Sequence, residues 1–375
     1  NGLSHQVLHA KKMQADGRGL KPIYGIEAYF IDSVDKWKEE YEEIRKNKKG
    51  RKKKEENSAV VIEDEESTKR QEKNIINRRA HLVLLAQNQT GLNNLFQLIS
   101  KSFNGDSFYR YPRIDYKMLA EHHEGIIVSS ACMGGPLSKD YWNNRENGHE
   151  AVQEAMTATI SNFVEIFGDR FYGELQWNAI PEQHEINKHI IEASKKLDIK
   201  LISTADSHYP RPELFKDREL YKQLGWLGKS KPDYADNVLP QSREELKYEL
   251  YPKNGDEMWE SYKNYSKQCE VTYDDDLVRE SIEETHKIAH ERIASFYPDS
   301  TVRLPDFVVP DGSTADQELD RLCDGGISEY GFSKQPEYIQ RVKDELQVIK
   351  DRGFSKYFLT MKAVSDEAKK TQLVG

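Results

Sequence analysis

His81-Leu82-Val83-Leu84-Leu85-Ala86 is a continuous apolar run opened by a histidine. Short unbroken runs of this kind suit a strand buried on both faces, as in a parallel sheet covered by helices. Working outward, strand-like and helix-like segments alternate. Upstream, a helical stretch from Ser4 to Gln14 leads into the β-branched and aromatic segment Pro22–Phe30. Downstream, Leu92, Leu95, Leu98 and Ile99 recur at helical spacing between Gly91 and Lys101. Strand Gly125–Ser130, helix Glu150–Phe167, strand Arg170–Gln176, helix Glu182–Leu197 and strand Lys200–Ala205 follow. Five strands alternating with helices predict an α/β fold with a parallel sheet, for which a barrel is the natural closure.

Composition sets the outer limits. The chain has 375 residues, with 55 Lys+Arg against 64 Asp+Glu and a formal charge of -9. No apolar run approaches the ~18 residues needed to span a bilayer, so no membrane partner is expected. No basic stretch followed by an apolar one marks a signal peptide. Cys132, Cys269 and Cys323 are odd in number and far apart, which argues for a reducing, cytoplasmic setting over a disulfide scaffold. Net acidity confines any nucleic-acid contact to a local patch, or to one made through metal ions. The chain opens at Asn1 without a Met and ends in the strand-like Leu373-Val374-Gly375. It reads as an internal piece of a longer protein.

One segment interrupts the alternation. From Ser33 to Ala80 there are 15 Lys/Arg and 12 Asp/Glu in 48 residues, too polar to offset the entropy of ordering, so a mobile, disordered insertion is expected. A short charged helix over Trp37–Lys49 is compatible with it. Its basic centre, Arg45–Lys54, suits a phosphate-touching arm; the acidic Glu63-Asp64-Glu65-Glu66 weakens that reading and favours a solvated loop. After Glu213 the alternation fades. Glu280–Ser295 reads as a helix, Leu304–Gly312 as a Pro-rich linker, and Gln335–Asp351 as an amphipathic helix with Ile339, Val342, Leu346 and Ile349 on its core face.

In parallel α/β folds functional side chains gather at one end of the strands. Metal-ligand residue types recur in that position here. Glu27 lies on the first strand, His81 opens the second, and Cys132 follows the third. The last strand runs into Thr204-Ala205-Asp206-Ser207-His208; Asp206 and His208 are two apart, so an extended backbone points both the same way. Carboxylate, imidazole and thiolate together suit Zn²⁺, or Mn²⁺ and Fe²⁺ with water completing the shell. Such ions acidify water and clamp the oxygens of a phosphoester. Singly, each residue also suits a plainer role: a paired surface carboxylate, a small buried thiol, a loop histidine. The helical pair His286 and His290 lacks the acid of a zinc protease and reads as a solvent face, and His122-His123 reads as a loop cap. No Gly-rich phosphate loop and no nucleophile elbow occur.

With these residues in view, the chain resembles the alpha subunits of bacterial-type DNA polymerase III, the family C replicative polymerases. Lys21–Tyr29 is similar to the family's "KPIIGCEAY" strand, and His81–Leu95 to its "HLVLLAKN..G..NL" signature. Gly125–Gly134 is similar to "GLIVLSGCLGG", Phe171–Gln176 to "FYLELQ", and Thr204–Tyr209 to "TNDAHY". Leu304–Gly312 resembles the link "LPKFPVPEG", and Gly353–Leu359 the "GFPGYFLIV" strand that opens the polymerase palm.

The resemblance implies a polymerase-and-histidinol-phosphatase (PHP) domain over 1–290, a distorted TIM-like (βα)7 barrel interrupted by the insertion 33–80. A linker and the start of an α+β palm would fill 291–375. Glu27, His81, Cys132, Asp206 and His208 match positions that bind metal in relatives with an intact site. Glu174 and Gln176 would stand behind them or face substrate, with strand packing as an equal alternative. The family's His-x-His pair would precede Asn1, and the palm's catalytic aspartates with their Mg²⁺ would follow Gly375. The implied activity of the parent is DNA-directed DNA polymerisation from dNTPs on a primer-template. The PHP domain would act as a phosphoesterase or 3′–5′ exonuclease. The implied partners are a sliding clamp, a clamp loader and a proofreading subunit. A stand-alone PHP phosphoesterase and a catalytically silent scaffold are the alternatives.

Overall fold

Ala80–Ala86 is a strand, and its two faces differ. Ala80, Leu82, Leu84 and Ala86 are buried, whereas His81, Val83 and Leu85 between them are only half-buried. The apolar run is therefore not sealed on both sides as expected. One face packs on helices and the other lines a cavity. The computed structural model describes residues 3–55, 70, 73–225, 242–299, 301, 306–309 and 312–372. The chain divides into two units, Asn1–Pro298 and Asp299–Gly375.

The described residues of the first unit hold seven strands: β1 (Gly25–Phe30), β2 (Ala80–Ala86), β3 (Phe108–Tyr109), β4 (Tyr111–Pro112), β5 (Ile126–Ser129), β6 (Phe171–Gln176) and β7 (Leu201–Thr204). Five form one sheet in the order β1-β2-β5-β6-β7, and β3 and β4 make a small hairpin. The sheet is mixed and open among the described residues, which corrects the expectation of a parallel one. β1 pairs antiparallel with β2, and β2 antiparallel with β5; only β5–β6 and β6–β7 are parallel. The physical reason lies in the connections. A single helix, Pro181–Leu197, joins β6 to β7 and returns the chain to the same end. Between β2 and β5 the chain passes through helices Gln89–Ser102 and Tyr116–Glu121 and the hairpin, and each extra element can reverse it. Strand–helix alternation alone does not fix direction.

The core lies between the sheet and the helices Gln89–Ser102, His149–Phe167 and Pro181–Leu197. It contains Leu82, Leu84, Leu95, Ile160, Phe163 and Phe171. Asn88 caps the first of these helices by accepting from the Gly91 amide at 3.0 Å. Gly91 lies so close to the Gly125 loop that a Cβ there would stand 1.9 Å from the Gly125 carbonyl oxygen. On helix Pro136–Asn144, Asp140 has one carboxylate oxygen buried without a partner. Burial pushes this carboxyl up to about 6, against a hydrogen bond to Thr159. The folded state therefore favours the protonated form, so stability is lost as pH rises from the ordinary aspartate range through about 6. Asp140→Asn is expected to stabilise the unit by about 1–3 kcal/mol near neutral pH and hardly at all near pH ~4. Urea denaturation at the two pH values checks this.

The charged insertion is ordered at its start. Val34–Glu55 is a helix of 22 residues, longer than expected. Val34, Trp37 and Tyr41, with Ile44 beside them, pack on Ile31, Ile75 and Ile76 as a satellite core. Their helical spacing gives this polar segment a buried stripe that its overall composition hides. Residues 56–69, 71 and 72, including the acidic run, lie outside the described residues. In the second unit, helices Ala315–Glu329, Pro336–Asp351 and Ser355–Lys369 enclose Val309, Leu319, Leu346 and Leu359. The segment expected as a palm strand is thus helical from Ser355. Ser355 and Leu359, four apart, share its buried face. No described helix is long and apolar enough to cross a membrane.

Candidate metal centre

Strand direction assembles the site. β1, β5, β6 and β7 run one way and β2 runs the other. The first residue of β2 therefore lies at the end where the other strands finish. That is how His81, the second residue of β2, meets Cys132, which follows β5. In the β1–β2 register Glu27 faces Val83 and Tyr29 faces His81, so Glu27 and His81 are diagonal neighbours on one face. Glu27 Oε1 lies 2.7 Å from His81 Nδ1, and Cys132 Sγ lies 3.6 Å from the same nitrogen.

The loop after β5 wraps this cluster. The Gly134 amide donates to Cys132 Sγ at 3.4 Å, and its carbonyl accepts from the His81 amide at 2.8 Å. A Cβ on Gly134 would lie 3.2 Å from His81 Nδ1, so glycine leaves the imidazole its space. Ala131, beside Cys132, has φ 59°, and Asp206 has φ 47°. Aspartate tolerates the left-handed region; alanine there costs about 1 kcal/mol. Both strained residues sit at this end of the sheet, where such conformations often serve a site.

Asp206 and His208 adopt a different arrangement from the expected extended one. The left-handed Asp206 bends the backbone, and His208 Nδ1 donates to the Asp206 carbonyl at 2.6 Å. The Asp206 carboxylate remains 3.8 Å from that nitrogen. Leu250 holds the segment by accepting from the His208 amide at 2.7 Å.

A cavity of about 420 Å³ lies on this face. Glu27, Cys132, Glu174 and Asp206 supply its ionisable lining, and Val83 and Ile288 belong to its apolar wall. Glu174 is buried on β6 between two strand ends. Its Oε2 accepts from Ser129 at 2.6 Å; its Oε1 accepts from Thr204 and from Gln176, the latter at 3.3 Å. Burial pushes its carboxyl up, opposed by those three donors. Asp206 is also raised by burial, with His208 pulling it back. Glu27 is lowered, chiefly by its hydrogen bond to His81. Cys132 and then Glu27 hold the His81 proton well above the ordinary histidine range.

The structure therefore joins Glu27, His81 and Cys132 directly and places Asp206 on the same cavity. His208 faces its own backbone, and Gln176 braces Glu174. Among the described residues no three His, Cys, Asp or Glu side chains stand preassembled around an ion position. Sequence reasoning missed Ser129 and Thr204; their signal was a hydroxyl at the end of an otherwise apolar strand.

Comparison with known proteins places this geometry. The PHP domain family matches residues 2–178, and the family described as bacterial DNA polymerase III alpha NTPase domain matches residues 317–375. The DNA polymerase III subunit alpha of Aquifex aeolicus is 31% identical over 373 residues, covering 97% of this chain and 27% of that protein. The subunit of the same name from Campylobacter jejuni is 28% identical over 370 residues, covering 91% of this chain and 26% of that protein. The chain belongs to the bacterial DNA polymerase III alpha-subunit family. It spans about a quarter of the length of these curated relatives. Within the family's PHP match lie Glu27, His81, Cys132, Glu174 and Gln176, whereas Asp206 and His208 fall beyond residue 178. The donor types fit a divalent transition metal: a carboxylate oxygen and a thiol sulfur both lie against one imidazole nitrogen.

Proposed function

We propose that this chain serves a replicative DNA-directed DNA polymerase, and that its first unit is a metal-dependent phosphoesterase acting as a 3′–5′ exonuclease on mispaired ends. The observation that carries this reading is the contact of Glu27 and Cys132 with His81, on a cavity that Asp206 shares. The PHP match and the relatives' shared name support it. Glu27, His81, Cys132, Asp206 and His208 are the residues that would hold Zn²⁺, Mn²⁺ or Fe²⁺. When bound, such an ion supplies Lewis-acid polarisation of a phosphoester oxygen and acidifies a water. Glu174 fixes the ends of β5 and β7, from which Cys132 and Asp206 project. Glu174 is itself buried, which strengthens its hydrogen bonds to these strand ends.

In this reading the five-stranded sheet belongs to a distorted (βα)7 barrel, and the second unit opens the polymerase palm region. Polymerisation with Mg²⁺, primer-template and dNTPs belongs to the whole protein in the cytoplasm, with a sliding clamp, a clamp loader and a proofreading subunit as partners. A protein of the relatives' full length that carries this chain is expected to extend a primed template with Mg²⁺. It is also expected to remove a mispaired 3′ nucleotide in a reaction that chelators abolish and readdition of Mn²⁺ or Zn²⁺ restores. Absence of extension rejects the polymerase reading; mispaired ends that persist under every metal reject the nuclease reading. The absence of a preassembled ion position among the described residues favours a second reading, a silent scaffold for a proofreading partner. Elemental analysis separates the two, since the scaffold would purify without transition metal.

A further inference from the structure

Two guanidinium groups meet beside the His81 end of the sheet, and they differ in how their donors are used. Arg113 is fully buried. Its Nη1 donates to the carbonyls of Tyr109 and Tyr111 at 3.0 Å each, its Nε to Arg78 at 3.4 Å, and its Nη2 to Ile76. It ties the β3–β4 hairpin to the segment that precedes β2, and its hydrogen-bonding capacity is largely met.

Arg79 is in another position. Its guanidinium lies over the rings of Tyr29 and Tyr111, 4.8 Å and 3.9 Å from their centroids. It donates once, from Nη1 to the Asn77 carbonyl at 3.0 Å. Its Nε is buried with no acceptor, and among the described residues no carboxylate pairs with it. The neighbouring Arg78 is neutralised by Glu40 at 2.8 Å, and the charge of Arg79 acts unfavourably on Arg113. Two clustered cations without a counter-charge call for an anion.

Position and surroundings say which anion. Tyr29 lies beside His81, with tilted rings and centroids 5.7 Å apart, so Arg79 stands one ring away from the Glu27–His81–Cys132 cluster. A planar fork braced by aromatic faces is the form in which arginine recognises phosphate. The hairpin carries further rings. Tyr109 pairs across from Tyr111, and the exposed Phe108 stacks on the exposed Phe103 at 5.5 Å. Exposed rings on the hairpin that carries Tyr111 suit unpaired bases. We propose that Arg79, held over the paired rings of Tyr29 and Tyr111, binds a backbone phosphate of a single DNA strand whose end enters the cavity. The route of that end to the cavity rests on the phosphoesterase reading; the binding itself does not.

The test uses the full 375-residue chain and a short 5′-fluorescein-labelled oligothymidylate, with anisotropy read in EDTA so that no cleavage intervenes. R79A is expected to weaken binding about tenfold or more at low salt and to reduce the slope of log affinity against log salt by about 0.7. R79K should recover the salt slope but not the full affinity. R341A, which removes a cation from the second unit, should bind as the wild type does. Should R79A lose the fold in a thermal melt, the affinity of R79K carries the test. Unchanged affinity and slope in the Arg79 variants, or no binding by the wild type, would overturn the assignment. Weakened binding in a protein that never cleaves would keep the phosphate contact and remove the phosphoesterase reading. Cleavage with unaltered binding by R79A would do the reverse.

Discussion

His81→Ala is expected to strip the first unit of transition metal. His81 touches both Glu27 and Cys132, so its loss removes a nitrogen donor and separates the other two. Changes to groups that merely support metal ligands cost about 10–100-fold in affinity; loss of the central donor should cost more than that. Because Cys132 and Glu27 hold a proton on His81, an incoming ion must displace it. Uptake by the wild type should therefore strengthen as pH rises, and H81A should lose much of that dependence. Metal titration with elemental analysis checks both. The imidazole is 35% exposed, so stability should change by less than about 1 kcal/mol. Metal content and pH dependence equal to the wild type would remove His81 from the centre.

Phe163→Ala should instead destabilise the first unit without touching that cluster. Phe163 is fully buried, stacks on Phe171 at 4.9 Å, and meets Phe30 at 5.2 Å and Tyr116 at 5.1 Å. One ring thus joins helix His149–Phe167 to β6, to β1 and to helix Tyr116–Glu121. Truncating a buried phenylalanine costs about 3–5 kcal/mol, because lost transfer energy adds to that of an unfilled cavity. The upper part of that range is expected here, since several elements would have to move together to close the gap. Urea denaturation followed by tryptophan fluorescence measures it. A loss under about 1 kcal/mol would mean that these rings do not hold the elements together.

Legibility differed from element to element. The strand at Pro22–Phe30, the run at His81 and the helices with strict spacing were readable because their patterns are local. The helix from Val34 was half-hidden: its composition argued for disorder, while Trp37 and Tyr41 carried a stripe that only Ile75 and Ile76, far along the chain, complete. The Ser355 helix was expected as a strand from the family resemblance alone; contacts of Ser355 and Leu359 bury one helical face instead. At the site, Glu27, His81 and Cys132 were named from residue type and order. Thr204 and Ser129 were missed, since a hydroxyl acquires its role only from the carboxylate it meets. Arg79 was counted merely as part of a charged run.

By itself the sequence determined the alternating α/β character, the position of most elements and the residue types available for metal chemistry. These follow from periodicity, which is a property of consecutive residues. Strand direction was left to the tertiary structure. Reversal of β2 places the start of that strand beside the loop that follows β5, and so brings His81, already next to Glu27 on β1, to Cys132. Which face of β2 meets a cavity, and which guanidinium lacks an acceptor, were decided there too. Pairing and burial depend on residues distant in the chain, and no local pattern encodes them.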